Sequence, residues 1–218
     1  MATRAGIDQN SKLLDMGCGN GTTAMWLGRT RGCQIVGVDL SGVRINNAME
    51  AMEKESDVLR ERMRFEKASA IDLRFEDGLF THVWSQATIY HIPDKVATLR
   101  EAYRVLADGG IFIFDDLIKP KPDISDAART HVYDRLLFDT YFSFHSYQDA
   151  LQEAAFHVLE AQDLSTHLRT SYLTLARITR EKGDEHDGKY KALSLAYEQM
   201  AKAQENSELG WGMYLCQK

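Results

Sequence analysis

An apolar segment that carries an acidic residue and leads into three alternate glycines constrains this chain more than any other feature. The segment is Lys12–Met16, its acidic residue is Asp15, and the glycines are Gly17, Gly19 and Gly21. Glycine adopts the backbone of a tight turn without strain and lets backbone N–H groups approach a ligand closely. Eighteen residues after the third glycine, a second apolar segment ends in Asp39, whose carboxylate can accept hydrogen bonds from both hydroxyl groups of a ribose. The pattern predicts a nucleoside-binding site.

Apolar runs alternate with helical patterns along the first half of the chain. Strands are predicted at Lys12–Met16, Gln34–Asp39, Met63–Ala68, His82–Ser85 and Ile111–Phe114. Helices are predicted at Thr22–Arg29, from Ser41 to about Lys54, and from Asp94 up to Gly109 and Gly110, which we expect to end the helix. This alternation predicts a parallel sheet covered by helices on both faces.

The second half is less regular. Proline residues at 120 and 122 break the pattern, and the aromatic-rich stretch at about 119–145 is predicted to be a helical cap inserted into the domain. Ser146 and Asp149 have the spacing of a capping box at the start of a helix that ends near Phe156. The remaining predicted elements are a strand at His157–Ala161, two helices within 165–206 and a closing strand at Gly212–Cys216.

Composition excludes several classes of protein. The 218 residues include 26 Lys and Arg against 32 Asp and Glu, a formal net charge of -6, which disfavours a nucleic-acid partner. No run approaches the roughly eighteen apolar residues of a membrane span, and the polar start differs from a signal peptide, so we expect a cytoplasmic protein without a membrane partner. The cysteines, Cys18, Cys33 and Cys216, lack C-x-x-C spacing, which predicts reduced thiols and no metal site.

The glycine spacing separates two kinds of nucleoside-binding protein. A dinucleotide site requires G-x-G-x-x-G, whereas this chain has G-x-G-x-G, with Thr22 where the third glycine of the dinucleotide pattern would stand. The form D-x-G-x-G-x-G resembles motif I of class I S-adenosylmethionine-dependent methyltransferases, and the resemblance extends from Leu13 to about Leu117. It implies an α/β, doubly wound, seven-stranded sheet of order 3-2-1-4-5-7-6, with the last strand antiparallel and the cap between strands five and six.

The resemblance also implies a cofactor and its contacts. The cofactor would be S-adenosyl-L-methionine, with S-adenosyl-L-homocysteine as the product. Asp39 matches the ribose-binding acid of the family, Ser69 and Ala70 match the adenine-binding turn after strand three, and Ser85 and Gln86 match residues that line the cofactor after strand four. The implied cofactor-binding residues are Asp15, Gly17, Cys18, Gly19, Gly21, Asp39, Leu40, Ser69, Ala70, Ser85 and Gln86.

Two segments resemble the subgroup that methylates small molecules, which includes sarcosine/dimethylglycine, sterol and tocopherol methyltransferases. These are Trp84–Asp94 and Leu209–Met213, and the second is most similar to the sarcosine/dimethylglycine type. Members of the subgroup usually have a helical lid ahead of motif I, whereas only twelve residues precede Leu13 here. We therefore expect one methyltransferase domain at 1–218 whose N-terminal lid is truncated.

His91 is the first candidate for chemistry, with Tyr90 beside it. It follows strand four at the carboxyl edge of the sheet, where open α/β sheets bind ligands, and an imidazole can accept a proton from an amine or hydroxyl. Alternatively, His91 only orders its loop. The candidate substrate contacts are Tyr141, Phe142, His167 and Tyr172, whose aromatic rings could hold a methylammonium group by cation–π attraction or could simply pack beneath the cap.

These residues favour methyl transfer from S-adenosylmethionine to a small molecule, with an amine nitrogen ahead of carbon or oxygen. The alternative within the same class is a C- or O-methyltransferase of an isoprenoid, sterol-like or polyketide product. A third hypothesis is a non-catalytic partner subunit with a methyltransferase fold, and the intact glycines and Asp39 argue against it. A nicotinamide oxidoreductase fits the glycine spacing poorly. A homodimer is compatible with the sequence.

Overall fold

The computed structural model describes residues 1–137, 141–182 and 188–218. Seven strands form one sheet of order β3-β2-β1-β4-β5-β7-β6, which is the predicted order. The strands are β1 (Lys12–Met16), β2 (Gln34–Asp39), β3 (Met63–Lys67), β4 (Phe80–Gln86), β5 (Leu106–Ile118), β6 (His157–Asp163) and β7 (Gly210–Gln217). The central strands β1, β2 and β4 are almost wholly buried, as expected for parallel strands covered on both faces.

The sheet is mixed. Four strand pairs are parallel, namely β1 with β2, β1 with β4, β2 with β3 and β4 with β5. Lys218, just after β7, exchanges backbone hydrogen bonds with Gly109 and Gly110 near the start of β5, at 3.1 and 3.0 Å. At the other end, a Cβ added to Gly210 of β7 would lie 2.8 Å from Ile118 Cγ1, at the end of β5. The strand β7 is therefore antiparallel to β5, as expected.

Helices connect the strands. They are α1 (Thr22–Arg31), α2 (Gly42–Met52), α3 (Asp57–Arg60), α4 (Lys95–Val105), α5 (Asp126–Ala128), a π-helix (Arg129–Asp134), α6 (Phe144–Glu153), α7 (Ser165–Glu181) and α8 (Lys189–Glu205). Ser41 and Asp94 cap α2 and α4, because their side chains accept hydrogen bonds from the N–H groups of Arg44 and Ala97. None of the described helices is long and apolar enough to span a membrane.

Two local predictions were wrong. Gly109 and Gly110 do not end α4, which stops at Val105. They lie inside β5. Phe80 of β4 pairs with Leu106 and His82 of β4 pairs with Ile111, so β5 has extra residues between these two pairs, and they form a bulge. The left-handed conformation of Gly109, with φ of 74°, permits this irregularity.

The second correction concerns the start of α6. The capping box is formed by Ser143 and Ser146, since the Ser143 N–H donates to Ser146 Oγ at 2.9 Å and the Ser146 N–H donates to Ser143 Oγ at 3.2 Å. Ser143 is therefore the N-cap and Ser146 the third residue of the helix, so the helix begins one turn earlier than predicted and Asp149 lies within it. Two predicted regions are described only in part. Residues 138–140 of the predicted cap at about 119–145 lie outside the described residues, and so do residues 183–187 of the helical region at 165–206.

The chain divides into two compact units. The first comprises residues 1–115, 148–161 and 214–218, and the second comprises residues 116–147 and 162–213. In the second unit, the start of α5 is fixed by Glu208, whose carboxylate accepts hydrogen bonds from the Ser125 N–H at 2.8 Å and from its hydroxyl at 3.1 Å. The Tyr133 hydroxyl donates to the Glu208 backbone oxygen at 2.7 Å. The buried Glu208 therefore holds the described part of the cap.

The first residues of the chain pack beside the beginning of β4 in the first unit. Ala2, Ala5 and Ile7 belong to the hydrophobic core. The imidazole of His82 lies 2.9 Å from the Ala5 carbonyl oxygen, so Nε2 carries the proton and donates it. Burial lowers the pKa of His82 below its ordinary value of 6.5, although the hydrogen bond to Ala5 opposes this shift.

We predict that His82 makes stability decline in mild acid. The folded protein disfavours the imidazolium, so the unfolded chain binds a proton first as pH falls below about 6.5. The free energy of unfolding should therefore decline from about pH 6.5 down to the lower folded pKa, by at most about 1.4 kcal/mol per pH unit. Replacing His82→Gln keeps a donor for Ala5 but removes the titration. Urea unfolding between about pH 5 and 7 should give a flatter pH dependence for the variant. Parallel curves for both proteins would contradict the assignment.

Candidate functional site

A cavity of about 280 Å³ opens where β1, β2, β3 and β4 end, within the first unit. Each strand contributes the residues that follow its last position. The lining residues are Gly17, Val38, Asp39, Leu40, Arg44, Ala68, Ser69, Ala70, Ile71, Thr88, His91, Ile92 and Pro93. The carboxyl edge of a parallel sheet is the usual place for ligands in open α/β folds, and this cavity contains six of the residues predicted from the sequence.

The glycine loop is fastened to β2. The N–H groups of Gly17 and Cys18 both donate to the Val38 backbone oxygen, at 2.8 and 2.9 Å. Gly17, Gly19 and Gly21 have φ values of 83°, 54° and 76°, all in the left-handed region. The loop therefore requires glycine at the three predicted positions for its backbone alone.

The three glycines differ in what surrounds them. A Cβ on Gly17 would overlap the side chain of Thr88, lying 2.7 Å from its Cβ, and one on Gly21 would lie 2.8 Å from Phe65 Cζ. At Gly19 the nearest atom would be an Arg44 guanidinium nitrogen at 3.9 Å. Gly17 and Gly21 are thus packed against protein, whereas Gly19 faces open space.

Asp39 joins the loop, the cavity and α2. One carboxylate oxygen accepts a hydrogen bond from the Gly19 N–H at 3.0 Å, and the other accepts one from the Ser41 N–H at 2.8 Å. These bonds fix the carboxylate at the cavity wall and leave further lone pairs on both oxygens. The arrangement can accept the two neighbouring hydroxyl groups of a ribose, as the resemblance implies.

Asp15 lies beneath the loop and not in the cavity wall. Its side chain is only 2% exposed, and its Oδ2 atom has no hydrogen-bond partner in the described structure. Burial, and secondarily the charge of Asp39, raise the pKa of Asp15 to about 7. Cys18 is also buried, and its thiol pKa is raised by burial first and by the two carboxylates next.

The turn after β3 provides the apolar side of the cavity. Ala68 is tied to β2 by its N–H, which donates to the Asp39 backbone oxygen at 3.2 Å. Ser69 and Ala70 follow in the wall, where Leu40 from the end of β2, with 70% of its surface exposed, joins them. An exposed aliphatic side chain beside small residues can pack on a flat ring such as adenine.

Ser85 and Gln86, which the resemblance places after strand four, are the last two residues of β4. Ser85 is fully buried, and its hydroxyl donates to the Met16 backbone oxygen at 2.9 Å. Gln86 accepts a hydrogen bond from the Thr23 hydroxyl at 3.3 Å. Neither belongs to the described lining of the cavity, so their contact with a cofactor stays a prediction. Ala87 has a left-handed φ of 48°, which turns the chain toward His91.

The predicted catalytic pair lies on a 3-10 turn, Ile89–His91. His91 is exposed and lines the cavity, whereas Tyr90 is buried. Their ring centroids are 3.9 Å apart at an interplanar angle of 35°. The backbone N–H of His91 donates to the Thr88 oxygen at 3.1 Å, which holds the turn. Of the two residues, His91 is the one that can reach a ligand in this cavity.

The four predicted substrate contacts all belong to the second unit. Tyr141 is 81% exposed, and Phe142 is buried with its ring centroid 4.9 Å from that of Tyr147. His167 is exposed on α7. The ring of Tyr172 stacks on that of Tyr197 with centroids 5.9 Å apart. Phe142 and Tyr172 thus pack within the unit, and substrate contact by the four residues stays a prediction.

Seven lining residues were not among the predicted site residues, namely Val38, Arg44, Ala68, Ile71, Thr88, Ile92 and Pro93. Arg44 lies in the first turn of α2, Ile71 follows the turn after β3, and Thr88 packs on Gly17. The position of Arg44, five residues after Asp39 on a capped helix, could have indicated that it returns toward the site. No pattern in the sequence distinguishes Ile71 or Thr88.

The cavity fits a nucleoside better than a metal ion. Among the described residues, no group of three histidine, cysteine or acidic side chains lies close enough together to hold a metal. The open face of Gly19 allows a ligand to approach the backbone closely. The fixed Asp39 carboxylate is suited to a ribose, and the exposed Leu40 is suited to a flat base.

Comparison with known proteins agrees with this arrangement. Residues 14–114 match the model of the methyltransferase domain family. The chain is 33% identical over 175 residues to sarcosine/dimethylglycine N-methyltransferase of Halorhodospira halochloris, covering 80% of this chain and 61% of that protein. It is 32% identical over 168 residues to 27-O-demethylrifamycin SV methyltransferase of Amycolatopsis mediterranei, covering 76% of this chain and 61% of the relative. The chain thus spans 61% of the length of each of these two relatives.

A solved structure has the same fold. Phosphoethanolamine N-methyltransferase 2 of Haemonchus contortus, in complex with S-adenosyl-L-methionine, superposes with a TM-score of 0.90 at 21% identity, covering 99% of this chain and 50% of that one. The sheet order, the glycine loop and the family match agree with one another. Residues 14–114 therefore match the methyltransferase domain family, and the chain has the fold of the solved methyltransferase structure.

Proposed function

We propose that this chain transfers a methyl group from S-adenosylmethionine to a small molecule, with an amine nitrogen as the preferred acceptor. The observation that carries the proposal is the Asp39 carboxylate, fixed by two backbone amides at the wall of the cavity beside the glycine loop. This acceptor pair is suited to a ribose. The left-handed glycines and the exposed Leu40 extend the fit to the rest of an adenosyl group.

The chain's own residues hold the cofactor and, through His91, exchange a proton. When bound, S-adenosylmethionine supplies an activated methyl group that a nucleophile takes up by in-line displacement, so most catalysis consists of holding the two reactants in attack geometry. Asp39, Ser69 and Ala70 would hold the nucleoside end. His91 lines the same cavity and would accept the proton that an ammonium substrate must lose before its nitrogen can attack.

An amine acceptor is favoured by the similarity to the sarcosine/dimethylglycine enzyme, at 33% identity. The test is transfer of labelled methyl groups from S-adenosylmethionine to sarcosine and dimethylglycine. Asp39→Ala, which removes both acceptor oxygens, should lose most of the activity at a limiting cofactor concentration and serves as the control for contaminating enzymes. Labelled product with the wild type alone would support the proposal, and no transfer to either amine would exclude these acceptors.

A second candidate function is O-methylation of a natural product. The similarity to the 27-O-demethylrifamycin SV enzyme, at 32% identity, is the observation that favours it. Phenols, polyketide alcohols and isoprenoids should therefore be offered in the same assay. Transfer to a hydroxyl or carbon acceptor without transfer to amines would select this alternative. Tight cofactor binding without any transfer would instead favour a non-catalytic subunit.

We predict that His91→Gln lowers turnover far more than cofactor affinity. Loss of a general base costs on the order of 10²-fold in rate, whereas the side chain supplies none of the Asp39 or glycine-loop contacts. The measurement is kcat for the best acceptor together with Kd for S-adenosylhomocysteine. His157→Gln, an exposed histidine at the start of β6, is the matched control. Equal losses of turnover and affinity would assign His91 a loop-ordering role.

A further inference from the structure

The carboxyl group of Asp15 is an unusual feature of the first unit. It is 2% exposed, and Oδ2 has no hydrogen-bond partner among the described residues. An unpaired buried carboxylate costs more free energy than other side chains on a central strand, because burial removes hydration that nothing replaces. The position is fixed by the register of β1, where Asp15 pairs with Gly37 of β2 and with Trp84 of β4.

Burial and the neighbouring Asp39 both disfavour the charged form of Asp15. The end of β2 contributes Asp39, whose negative charge repels it. The glycine loop contributes the Cys18 thiol, and the buried face of α1 contributes only Ala24, Met25, Leu27 and Gly28. From β4, Trp84 lies at the same register, and its indole Nε1 also lacks a partner in the described structure. The nearest charged groups of the cavity wall besides Asp39 are Arg44 and, when protonated, His91.

We propose that Asp15 makes the cavity selective for cationic nucleosides, by carrying a proton in the ligand-free protein near neutral pH and releasing it when a nucleoside with a positive charge binds. The inference rests on the proposed function, because it takes the cavity to be the nucleoside site. A positive ligand group in the cavity, near Asp39 in the wall and Asp15 beneath the glycine loop, favours the ionised form of both carboxyl groups, so the proton leaves Asp15 for the solvent.

The raised pKa of Asp15 agrees with its buried position near Asp39. With the pKa of Asp15 raised to about 7 by burial and by Asp39, a large fraction of the ligand-free protein carries the proton at neutral pH. Folding stability should then fall as pH rises from about 4 to about 7 and level off above, since only in this range does the folded protein hold a proton that the unfolded chain has lost. Neutral adenosine offers no charge and should leave the proton in place.

The experiment is isothermal titration calorimetry in phosphate and in Tris, whose different ionisation heats report the protons released. S-adenosylhomocysteine, which has an ammonium group, should release about half a proton near pH 7, more near about pH 6 and almost none near about pH 9. S-adenosylmethionine, with an additional sulfonium, should release at least as much. Adenosine should bind without release.

Asp15→Asn is the matched variant, since it keeps the shape and removes the proton. It should abolish the release, and as pH rises from about 5 to about 7 its stability should lack the decline that Asp15 causes in the wild type. If Asn is not tolerated, Asp15→Ser provides the same neutral comparison. Asp57→Asn, an exposed carboxylate on α3, should behave as the wild type.

The outcomes separate this inference from the proposed function. Binding of S-adenosylhomocysteine with equal heats in both buffers, or equal proton release by Asp15→Asn and the wild type, would overturn the inference and leave the proposed function standing. Failure of all three nucleosides to bind would overturn both.

Discussion

Replacing Asp39→Ala is expected to weaken binding of S-adenosylhomocysteine by about 2 to 4 kcal/mol, roughly 30- to 1000-fold. The wild-type carboxylate would accept charge-assisted hydrogen bonds from the ribose hydroxyls, and each such bond contributes about 1.5 to 3 kcal/mol. The variant also loses the acceptors for the Gly19 and Ser41 amides, at 3.0 and 2.8 Å, so the glycine loop and the start of α2 lose their common anchor.

The ribose contribution can be separated from this anchoring role. Asp39→Asn keeps one acceptor oxygen for a backbone amide but removes the charge, so its affinity should be intermediate while its melting temperature stays close to that of the wild type. Asp57→Ala, which removes an exposed carboxylate on α3, is the control for net charge. Wild-type affinity in Asp39→Ala, measured by calorimetry, would show that the ribose does not bind here.

Replacing Gly17→Ala is expected to damage both stability and binding. Gly17 has a φ of 83°, and the new Cβ would overlap Thr88, lying 2.5 Å from its hydroxyl oxygen and 2.7 Å from its Cβ. Backbone strain and overpacking together predict a loss of about 2 to 4 kcal/mol in the free energy of unfolding. The displaced Thr88 also lines the cavity and precedes the turn of His91, so the ligand site should be distorted.

Two comparison variants test the cause. Gly19→Ala has similar strain, at φ of 54°, but its Cβ would meet nothing closer than 3.9 Å, so it should cost only about 1 kcal/mol of stability. Because that face is open to a ligand, it should still reduce nucleoside affinity. Adding Thr88→Ala to Gly17→Ala should restore part of the lost stability. Urea unfolding that ranks Gly19→Ala equal to Gly17→Ala would contradict the packing argument.

The sequence was sufficient for the strands that define the sheet. β1 and β2 have the predicted bounds, because a short, mainly apolar run flanked by polar residues leaves little freedom in where a buried strand begins or ends. The order of the seven strands was predicted through the resemblance to the methyltransferase family and not from the apolar pattern alone.

Local errors arose where one residue type serves two purposes. Gly109 and Gly110 have the signature of a helix end, yet the same left-handed freedom allows a bulge within β5, and the pairing partner that decides between them lies far along the chain. Similarly, Ser146 has the sequence of an N-cap, but Ser143 competes for that position and the reciprocal hydrogen bonds assign it.

In the site, the pattern predicted Asp39 and the glycines because their roles depend on the backbone that the sequence itself specifies. Asp15 was also predicted, but its burial beneath the loop depends on how β1, β2 and β4 come together. The contributions of Arg44, Ile71 and Thr88 depend on how α2 and the segments after β3 and β4 come together, which no local spacing encodes.

The most direct test of the central assignment is the thermal stability of this chain with S-adenosylhomocysteine and, separately, with NADH. A ligand that binds only the folded state raises its stability, and at about 100 times Kd the gain is about 2.7 kcal/mol, or roughly 5 to 10 °C in Tm. The account predicts such a rise with S-adenosylhomocysteine, no rise with NADH, and a much smaller rise for Asp39→Ala. A rise with NADH and none with S-adenosylhomocysteine would contradict it.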